Sequence, residues 1–170
     1  MHKTKLTLAQ IALFGMLGAL TFGAKVAMSG LYNIEPVSLM VMLFAVVFGW
    51  KCLYPIYLYV LLEILLYGIN LWNINYLYIW TVLAIIAILC RKNQSVWFWA
   101  AVAGIFGLLF GALCSIPYFL VGGWAAGFSY WVAGIPFDLI HCASNAILTA
   151  LLLMPLYKLC CKLLGHKNKP

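Results

Sequence analysis

Toward its end the sequence reads Gly134-Ile-Pro-Phe-Asp-Leu-Ile-His-Cys-Ala-Ser-Asn-Ala-Ile-Leu-Thr-Ala-Leu-Leu-Leu-Met154. Proline has no amide hydrogen to lose in a first helical turn, so a helix is expected to begin at Pro136. Asp138 then falls in that first turn, where the helix dipole favours a carboxylate. His141 and Asn145 follow at i+3 and i+7, so the three polar side chains share one helix face. Polar groups on an otherwise apolar membrane helix usually face an internal site.

The composition identifies the class of protein. The chain has 170 residues, of which 67% are hydrophobic and 8% are charged, and its mean hydropathy is +1.08. A soluble domain of this composition would expose enough apolar surface to aggregate. The sequence therefore predicts a single integral membrane domain over residues 1–170. The net charge of +7 is scattered between apolar runs instead of forming a patch, so nucleic acid is not an expected partner.

Six apolar runs predict an all-α bundle of six transmembrane helices. The runs cover roughly residues 7–29, 36–50, 53–69, 76–90, 96–121 and 129–158. The connection Trp50-Lys51-Cys52 predicts a tight hairpin between the second and third runs.

Basic residues mark alternate connections between these runs. All but Lys25 lie before the first run, between the second and third, between the fourth and fifth, or after the sixth: Lys3, Lys5, Lys51, Arg91, Lys92, Lys158, Lys162, Lys167 and Lys169. By the positive-inside rule, both termini are expected in the cytoplasm, and the protein is expected in the cell membrane as a multi-pass protein.

Two stripes of small residues suit close helix packing. Gly15, Ala19 and Gly23 are spaced four apart in the first run. The fifth run carries a second stripe, made of Ala103, Gly107, Gly111 and Ser115. Each stripe either packs inside the bundle or docks a separate membrane protein, and periodicity does not decide which of them faces outward.

Three connections carry no Lys or Arg, and the same rule places them outside. They are, in chain order, Leu31–Glu35, Asn70–Asn75 and Gly122–Phe128. A ligand is expected to bind there. They combine hydrogen-bonding groups with flat aromatic rings, which suits a small, flat, polar ligand. Part of this aromatic content is the ordinary belt at a membrane interface. Glycines at 122, 123 and 127 predict that the third connection moves as a lid. The candidate binding residues in and beside these connections are Asn33, Glu35, Asn70, Trp72, Asn73, Trp80, Trp124, Tyr130 and Trp131.

Two further charged residues, Lys25 and Glu63, lie in the outer half of the predicted bundle. Either they form an ion pair with each other or they contact a ligand. Asp138, His141 and Asn145 form either an internal polar network or a wall of the binding site. One carboxylate and one imidazole are too few for a zinc site, so neither a metal nor a cofactor is expected.

The absence of several catalytic motifs limits the functions that this sequence can be expected to have. The sequence has no Gly-x-x-x-x-Gly-Lys-Ser/Thr, so this chain is not expected to hydrolyse ATP. It has no Gly-x-Ser-x-Gly or His-Glu-x-x-His, and only three acidic residues. An enzyme is therefore not expected, although a small membrane-embedded enzyme stays an alternative. A channel or a structural helical bundle is the other alternative, but a pore needs polar groups along its full length, and here they stop at the outer half.

The chain resembles a known group of membrane proteins. The stretches that carry the likeness are Asn33-Ile-Glu-Pro-Val-Ser38, Gly134-Ile-Pro-Phe-Asp138-Leu-Ile-His141-x-x-x-Asn145 and Met154-Pro-Leu-Tyr157. With six predicted spans and the small-residue stripe of the first run, they resemble the substrate-binding S components of energy-coupling factor (ECF) transporters.

The resemblance implies a mechanism and partners. Such a subunit captures a vitamin-like micronutrient on the outer side, loops close over it, and it associates with a transmembrane coupling protein and two cytoplasmic ATPases. Toppling of the subunit carries the ligand inward. Gly15, Ala19 and Gly23 occupy positions that match the family's docking stripe for the coupling protein. Lys25 is the only cation among the candidate residues, so a neutral or zwitterionic heterocycle is the expected ligand.

Overall fold

The computed structural model describes residues 5–31 and 33–165, and this part of the chain is helical with no strand. The predicted cytoplasmic signals at Lys3, Lys167 and Lys169 lie outside the described residues. The elements are α1 (Leu8–Ala27), α2 (Val37–Phe48), a 3-10 helix (Gly49–Cys52), α3 (Leu53–Tyr67), α4 (Leu71–Cys90), α5 (Val96–Leu108), α6 (Phe110–Cys114) and α7 (Ile116–Leu163).

Four helical segments of the described chain are long and apolar enough to cross a membrane. They are Leu8–Ala27, Val37–Tyr67, Leu71–Cys90 and Ile116–Leu163, and the apolar helix Val96–Leu108 is shorter. The all-helical membrane class predicted from composition agrees with this architecture. Two of the four segments contain a reversal of chain direction.

The first reversal lies at the 3-10 helix. Gly49 ends α2 with φ +57°, a left-handed conformation that favours glycine. Helices α1 and α3 run parallel, because Gln10 accepts a hydrogen bond from Lys51 at one end and Lys25 pairs with Glu63 at the other. The loop before α2 lies near that second end, so α2 and α3 run in opposite directions.

The second reversal lies at Gly123, whose φ of 73° and ψ of −174° interrupt α7. Residues on its two sides face each other: the rings of Tyr118 and Tyr130 stack with centroids 3.9 Å apart. Phe119 lies against Gly127, where a β-carbon would come within 2.2 Å of its ring. We call residues 124–163 the long arm of α7.

The structure of the long arm contradicts two predictions made from the sequence. Residues 122–131 do not form an open lid, since all of them except Gly123 are helical. Pro136 lies inside the helix and does not begin it. A proline inside a helix removes one backbone hydrogen bond, and the long arm nevertheless stays helical through Pro136 where it packs along α5.

The two ends of the bundle differ in charge. All three acidic side chains of the chain, Glu35, Glu63 and Asp138, lie at one end, which we call the acidic end. The opposite end carries basic residues of the 3-10 helix, of the α4–α5 connection and of the end of α7, and we call it the basic end. Between them the buried residues are mainly apolar and include Met42, Phe44, Ile79, Leu83 and Leu153.

The two small-residue stripes face in different directions. In the second stripe, a β-carbon on Gly107 would lie 2.8 Å from the carbonyl of His141, so this stripe is buried against α7. In the first stripe, β-carbons on Gly15 and Gly23 would meet nothing within 4 Å, and Ala19 is exposed. The glycine of α1 that packs inside the bundle is Gly18, outside the predicted stripe. The first stripe therefore lies on the outer surface.

Gly107→Ala is expected to destabilise the protein by about 2 kcal/mol, because the added methyl group meets rigid backbone of the long arm. The matched control is Gly104→Ala, one turn earlier on the same helix. There a β-carbon would meet Ala146 and Cys142 at 3.4 and 3.5 Å, which is ordinary contact. The control should be neutral or gain up to about 1 kcal/mol from helix propensity. Thermal unfolding in detergent measures both, and equal melting temperatures would contradict the proposed packing.

Candidate ligand-binding site

Polar side chains of the long arm face the interior of the bundle. Asp138, His141 and Asn145 are only 5%, 3% and 2% exposed, as expected for residues that share one buried face. Thr149, one turn beyond Asn145, continues the same face and is also buried. Buried polar groups on a membrane helix are costly unless they have partners, so the partners of these side chains determine their roles.

Asp138 stabilises a neighbouring helix. Its Oδ1 accepts a hydrogen bond from the backbone N–H of Gly111 at 2.9 Å. Gly111 lies in the first turn of α6, which has no side-chain cap of its own, so the carboxylate supplies that cap. Asp138 does not lie in the first turn of its own helix, so the prediction based on Pro136 is wrong. The second oxygen, Oδ2, is buried and has no hydrogen-bond partner within the described residues.

The loop between α1 and α2 packs against the same face. The hydroxyl of Ser144 donates to the carbonyl of Asn33 at 2.8 Å, and Nδ2 of Asn145 donates to the hydroxyl of Ser38 at 3.1 Å. Asn33 has φ +56°, a left-handed conformation that asparagine tolerates. Asn33 was predicted to offer its side chain, but its contribution to this network is its backbone carbonyl.

Glu35 brings a second carboxylate to this network. Its Oε1 lies 3.9 Å from Nε2 of His141, and its side chain is 17% exposed. Burial raises the pKa of Glu35 from its ordinary value to about 7, with a smaller lowering by Lys25 and a smaller raising by Glu63. Glu35 therefore changes charge close to neutral pH.

The stability of the protein is expected to fall as pH rises from about 4.5 to about 7. In this range the unfolded state releases the Glu35 proton while the folded state retains it, so folding is favoured at the acid end. The difference is on the order of 2 to 3 kcal/mol. Melting temperatures across this range should show the slope for the native protein and a reduced slope for Glu35→Gln. Identical slopes would contradict the burial of Glu35.

A cavity of about 470 Å³ lies beside this network at the acidic end. Its lining residues come from α1, α3 and the start of α4: Lys25, Glu63, Tyr67, Asn70, Trp72, Asn73 and Tyr76. Five of these were predicted from the sequence, and Tyr67 and Tyr76 were not.

The charged residues of the cavity form an ion pair. Nζ of Lys25 lies 2.5 Å from Oε2 of Glu63 and 5.2 Å from the centre of the Tyr76 ring. The mutual ion pair, one of the two interpretations left open by the sequence, is therefore present, and both residues also line the cavity. Oε1 of Glu63 is buried without a hydrogen-bond partner in the described chain, so one carboxylate oxygen of the pair has spare capacity.

Asn70 and Asn73 have a structural role in addition to lining the cavity. The side-chain oxygen of each accepts the backbone N–H of the other at 3.3 Å, which forms a capping box at the start of α4. In the described structure the side-chain NH₂ of Asn73 makes no hydrogen bond of its own. The side-chain NH₂ of Asn70 donates to the carbonyl of Gly68, so the NH₂ of Asn73 is the donor that a ligand could use.

One phenylalanine ring separates the cavity from the polar face of the long arm. Phe110 lies 6.4 Å from the Trp72 ring and 4.8 Å from the His141 ring, measured between centroids. The predicted residues therefore form two adjacent groups and do not line one common cavity. Trp80 contacts Tyr76 and Phe110 but is fully buried, so it packs behind these residues and does not line the cavity.

Three predicted residues lie in the first turns of the long arm. Trp124 is 77% exposed and packs on Phe119, and Trp131 is also exposed. Tyr130 stacks on Tyr118 beside the reversal at Gly123. Because residues 124–131 are helical, their side chains spread around the helix. Trp124 and Trp131 are therefore not part of the site that the structure forms, whereas Tyr130 is half-buried against the core and within electrostatic range of Asp138.

Several residues of the site were missed from the sequence. Thr149 could have been found as the next i+4 position after Asn145, and the two tyrosines as aromatic residues that flank the second connection. Ser144 carries no signal that separates it from other serines in helices, whereas Ser38 is one of the hydrogen-bonding groups at the first outer connection. Phe110 carries none either, since its role depends on the position of α6 against the long arm.

Buried polar atoms without a hydrogen-bond partner lie at the acidic end and in the core beside it. In the described chain six buried side-chain atoms lack a hydrogen-bond partner, and they belong to Tyr59, Glu63, Trp80, Asp138, His141 and Thr149. Such atoms are uncommon in folded proteins and usually await water, an ion or a ligand.

The arrangement is suited to binding through hydrogen bonds and ring stacking. The described residues contain no cluster of three or more His, Cys, Asp or Glu side chains placed to hold a metal ion. Comparisons of the chain with protein-family models, with curated proteins and with solved structures find no match.

Proposed function

We propose that this chain is the ligand-capturing membrane subunit of an importer, of the kind represented by the S components of ECF transporters. It would bind a vitamin-like or other heterocyclic micronutrient on the outer side of the cell membrane. One observation carries the proposal: charged, amide and aromatic side chains surround a cavity of about 470 Å³ at one end of the bundle. Pockets of this size suit small organic ligands.

The proposed topology has six spans with both termini in the cytoplasm. The reversals at Gly49–Cys52 and at Gly123 divide the long apolar segments, and α5 with α6 supplies the remaining span. The basic residues then face the cytoplasm, as the positive-inside rule requires. The cavity opens on the opposite side, where a nutrient would arrive.

The lining of the cavity favours a neutral or zwitterionic heterocycle. Lys25 and Glu63 compensate each other's charge, so the cavity offers no net charge to an ionic ligand. Trp72 and Tyr76 provide rings for stacking, and the Asn73 amide provides hydrogen-bond donors. The polar face around Asp138 lies behind Phe110 and would contact the ligand if that ring moves.

Energy for import would come from other subunits. The sequence has no phosphate-binding loop, so ATP hydrolysis would belong to two cytoplasmic ATPases joined through a transmembrane coupling protein. The outward stripe of Gly15, Ala19 and Gly23 supports this assembly, because small residues let another helix approach closely.

A membrane enzyme is the second candidate, and the neighbouring Glu35 and His141 are the observation that favours it. A channel is less consistent with the structure, because the buried residues toward the basic end are apolar and leave no continuous polar path in the described chain.

The test is mass spectrometry of small molecules that co-purify with the protein in detergent. A heterocyclic compound should be enriched with the native protein and lost from Trp72→Ala. The matched control is Trp97→Ala, which replaces a tryptophan that is 80% exposed on α5. Loss of the compound from both variants, or from neither, would reject the assignment of the cavity. Chemical conversion of the compound by the purified protein would favour the enzyme.

A further inference from the structure

A second and larger cavity lies at the basic end of the bundle. Its volume is about 830 Å³, and it lies between the end of α2, the α4–α5 connection, the start of α5 and the last third of α7. The polar part of its lining contains Arg91, Lys92, Asn93, Gln94, Tyr157 and Lys158. The apolar part contains Val46, Val96, Trp99, Leu153 and Met154.

The cations of this cavity have no carboxylate side chain to pair with. Arg91, Lys92 and Lys158 are all exposed, and the three acidic side chains of the chain lie at the acidic end. Three like charges around one cavity repel each other unless an anion lies between them. The cavity is therefore electrostatically complementary to a negatively charged group.

The start of α5 adds to this positive character. The helix has no acidic residue in its first turn, and the side chain of Ser95 accepts only the N–H of Phe98. Its remaining first-turn N–H groups and its dipole favour an anion at this end. Asn93 is held in place here, because its side-chain oxygen accepts the N–H of Ser95 and its carbonyl accepts the indole N–H of Trp99.

The apolar wall indicates that the anion carries hydrocarbon. Trp99 and Leu153 are almost fully buried and form the floor of the cavity. A soluble phosphate would leave such a wall uncovered, whereas a phospholipid would place its phosphate among the cations and its glycerol and acyl carbons on the wall. Basic pockets between helices on the cytoplasmic side of membrane proteins are suited to anionic head groups.

We propose that this cavity binds the phosphate of an anionic phospholipid from the leaflet at the basic end. Arg91 and Lys158 hold the phosphate from two elements, the α4–α5 connection and α7, and Lys92 adds a third charge. The bound lipid joins these elements and stabilises their packing. The inference is independent of the micronutrient proposal, since the two cavities lie at opposite ends and share no lining residue.

The test measures lipid retention by native mass spectrometry of the full chain. The protein is reconstituted in bilayers of phosphatidylcholine with phosphatidylglycerol, released into detergent and compared with Arg91→Gln, Lys158→Gln and the double variant. These side chains are exposed, so the variants should fold. The matched control is Lys162→Gln, one helical turn beyond Lys158 and outside the cavity lining.

The native protein and the control should retain phosphatidylglycerol in preference to phosphatidylcholine. Each charge removed from the cavity should lower that retention about fivefold. Added phosphatidylglycerol should raise the melting temperature of the native protein and not that of the double variant. Equal retention by the double variant, or equal loss in the control, would overturn the proposal. Inorganic phosphate stabilising the native protein as well as the lipid would overturn the lipid assignment.

Discussion

Glu63→Ala is expected to destabilise the protein by about 3 kcal/mol, the typical result of removing one partner from a buried ion pair. Glu63 is 3% exposed, and its carboxylate lies 2.5 Å from the Lys25 ammonium. Without that carboxylate, the Lys25 ammonium would lie between α1, α3 and α4 without its ion-pair partner. The Tyr76 ring, 5.2 Å away, would offset only part of the loss. A lower melting temperature in detergent measures the effect.

The double variant Lys25→Met/Glu63→Leu separates charge from packing. It replaces both charges with apolar side chains of similar size, and such replacements are often nearly neutral for stability. It should therefore recover most of the stability that Glu63→Ala loses. Ligand capture would not recover, because the cavity would have lost both of its charged groups. A Glu63→Ala protein as stable as the native one would show that Lys25 does not depend on this partner.

The features that local periodicity controls were accessible from the sequence. Asp138, His141 and Asn145 are spaced at i, i+3 and i+7, and any α-helix places such residues on one face whatever its surroundings. The gathering of basic residues at one end of the bundle could also be predicted from the sequence. Basic residues occur in every second connection between helices, and such connections lie at the same end of the bundle.

The features that depend on tertiary packing were not accessible. Pro136 is a good helix start in isolation, but here the helix continues through it and packs along α5. The hydrogen bond from Gly111 to Asp138 spans 27 positions of sequence, and no local pattern relates the two residues. Both small-residue stripes have the same spacing. The stripe that faces outward could therefore be identified only from the positions of the neighbouring helices.

The aromatic residues were the least predictable part of the site. A tryptophan in a membrane protein can line a pocket, fill the core or lie at the lipid interface, and composition does not separate these roles. Trp72 lines the cavity, Trp80 lies in the core, and Trp124 lies on the surface. The difference follows from their positions around their own helices, and these become decisive only after the helices are packed.

Asp138→Asn is expected to leave the fold intact and to weaken ligand capture at least tenfold, because the proposed site extends to Asp138 once the Phe110 ring moves aside. The asparagine side-chain oxygen can still accept the N–H of Gly111, so the cap of α6 is retained. The negative charge and the second carboxylate oxygen, which is buried without a partner in the described residues, are lost. Hydrogen bonds to charged groups contribute about 1.5 to 3 kcal/mol, which corresponds to a tenfold or larger change in affinity.

Asp138→Ala removes the cap and the charge together, so it should bind as weakly and also unfold at a lower temperature. The carboxylate packs against Gly111, where an added β-carbon would come within 2.3 Å of Oδ2. Gly111 is buried, so leaving its N–H unpaired should cost about 1 to 3 kcal/mol. Binding is measured with the compound that co-purifies with the native protein. If Asp138→Asn bound it as tightly as the native protein, Asp138 would serve only to hold α6 in place, and the ligand would lie wholly on the Lys25 side of Phe110.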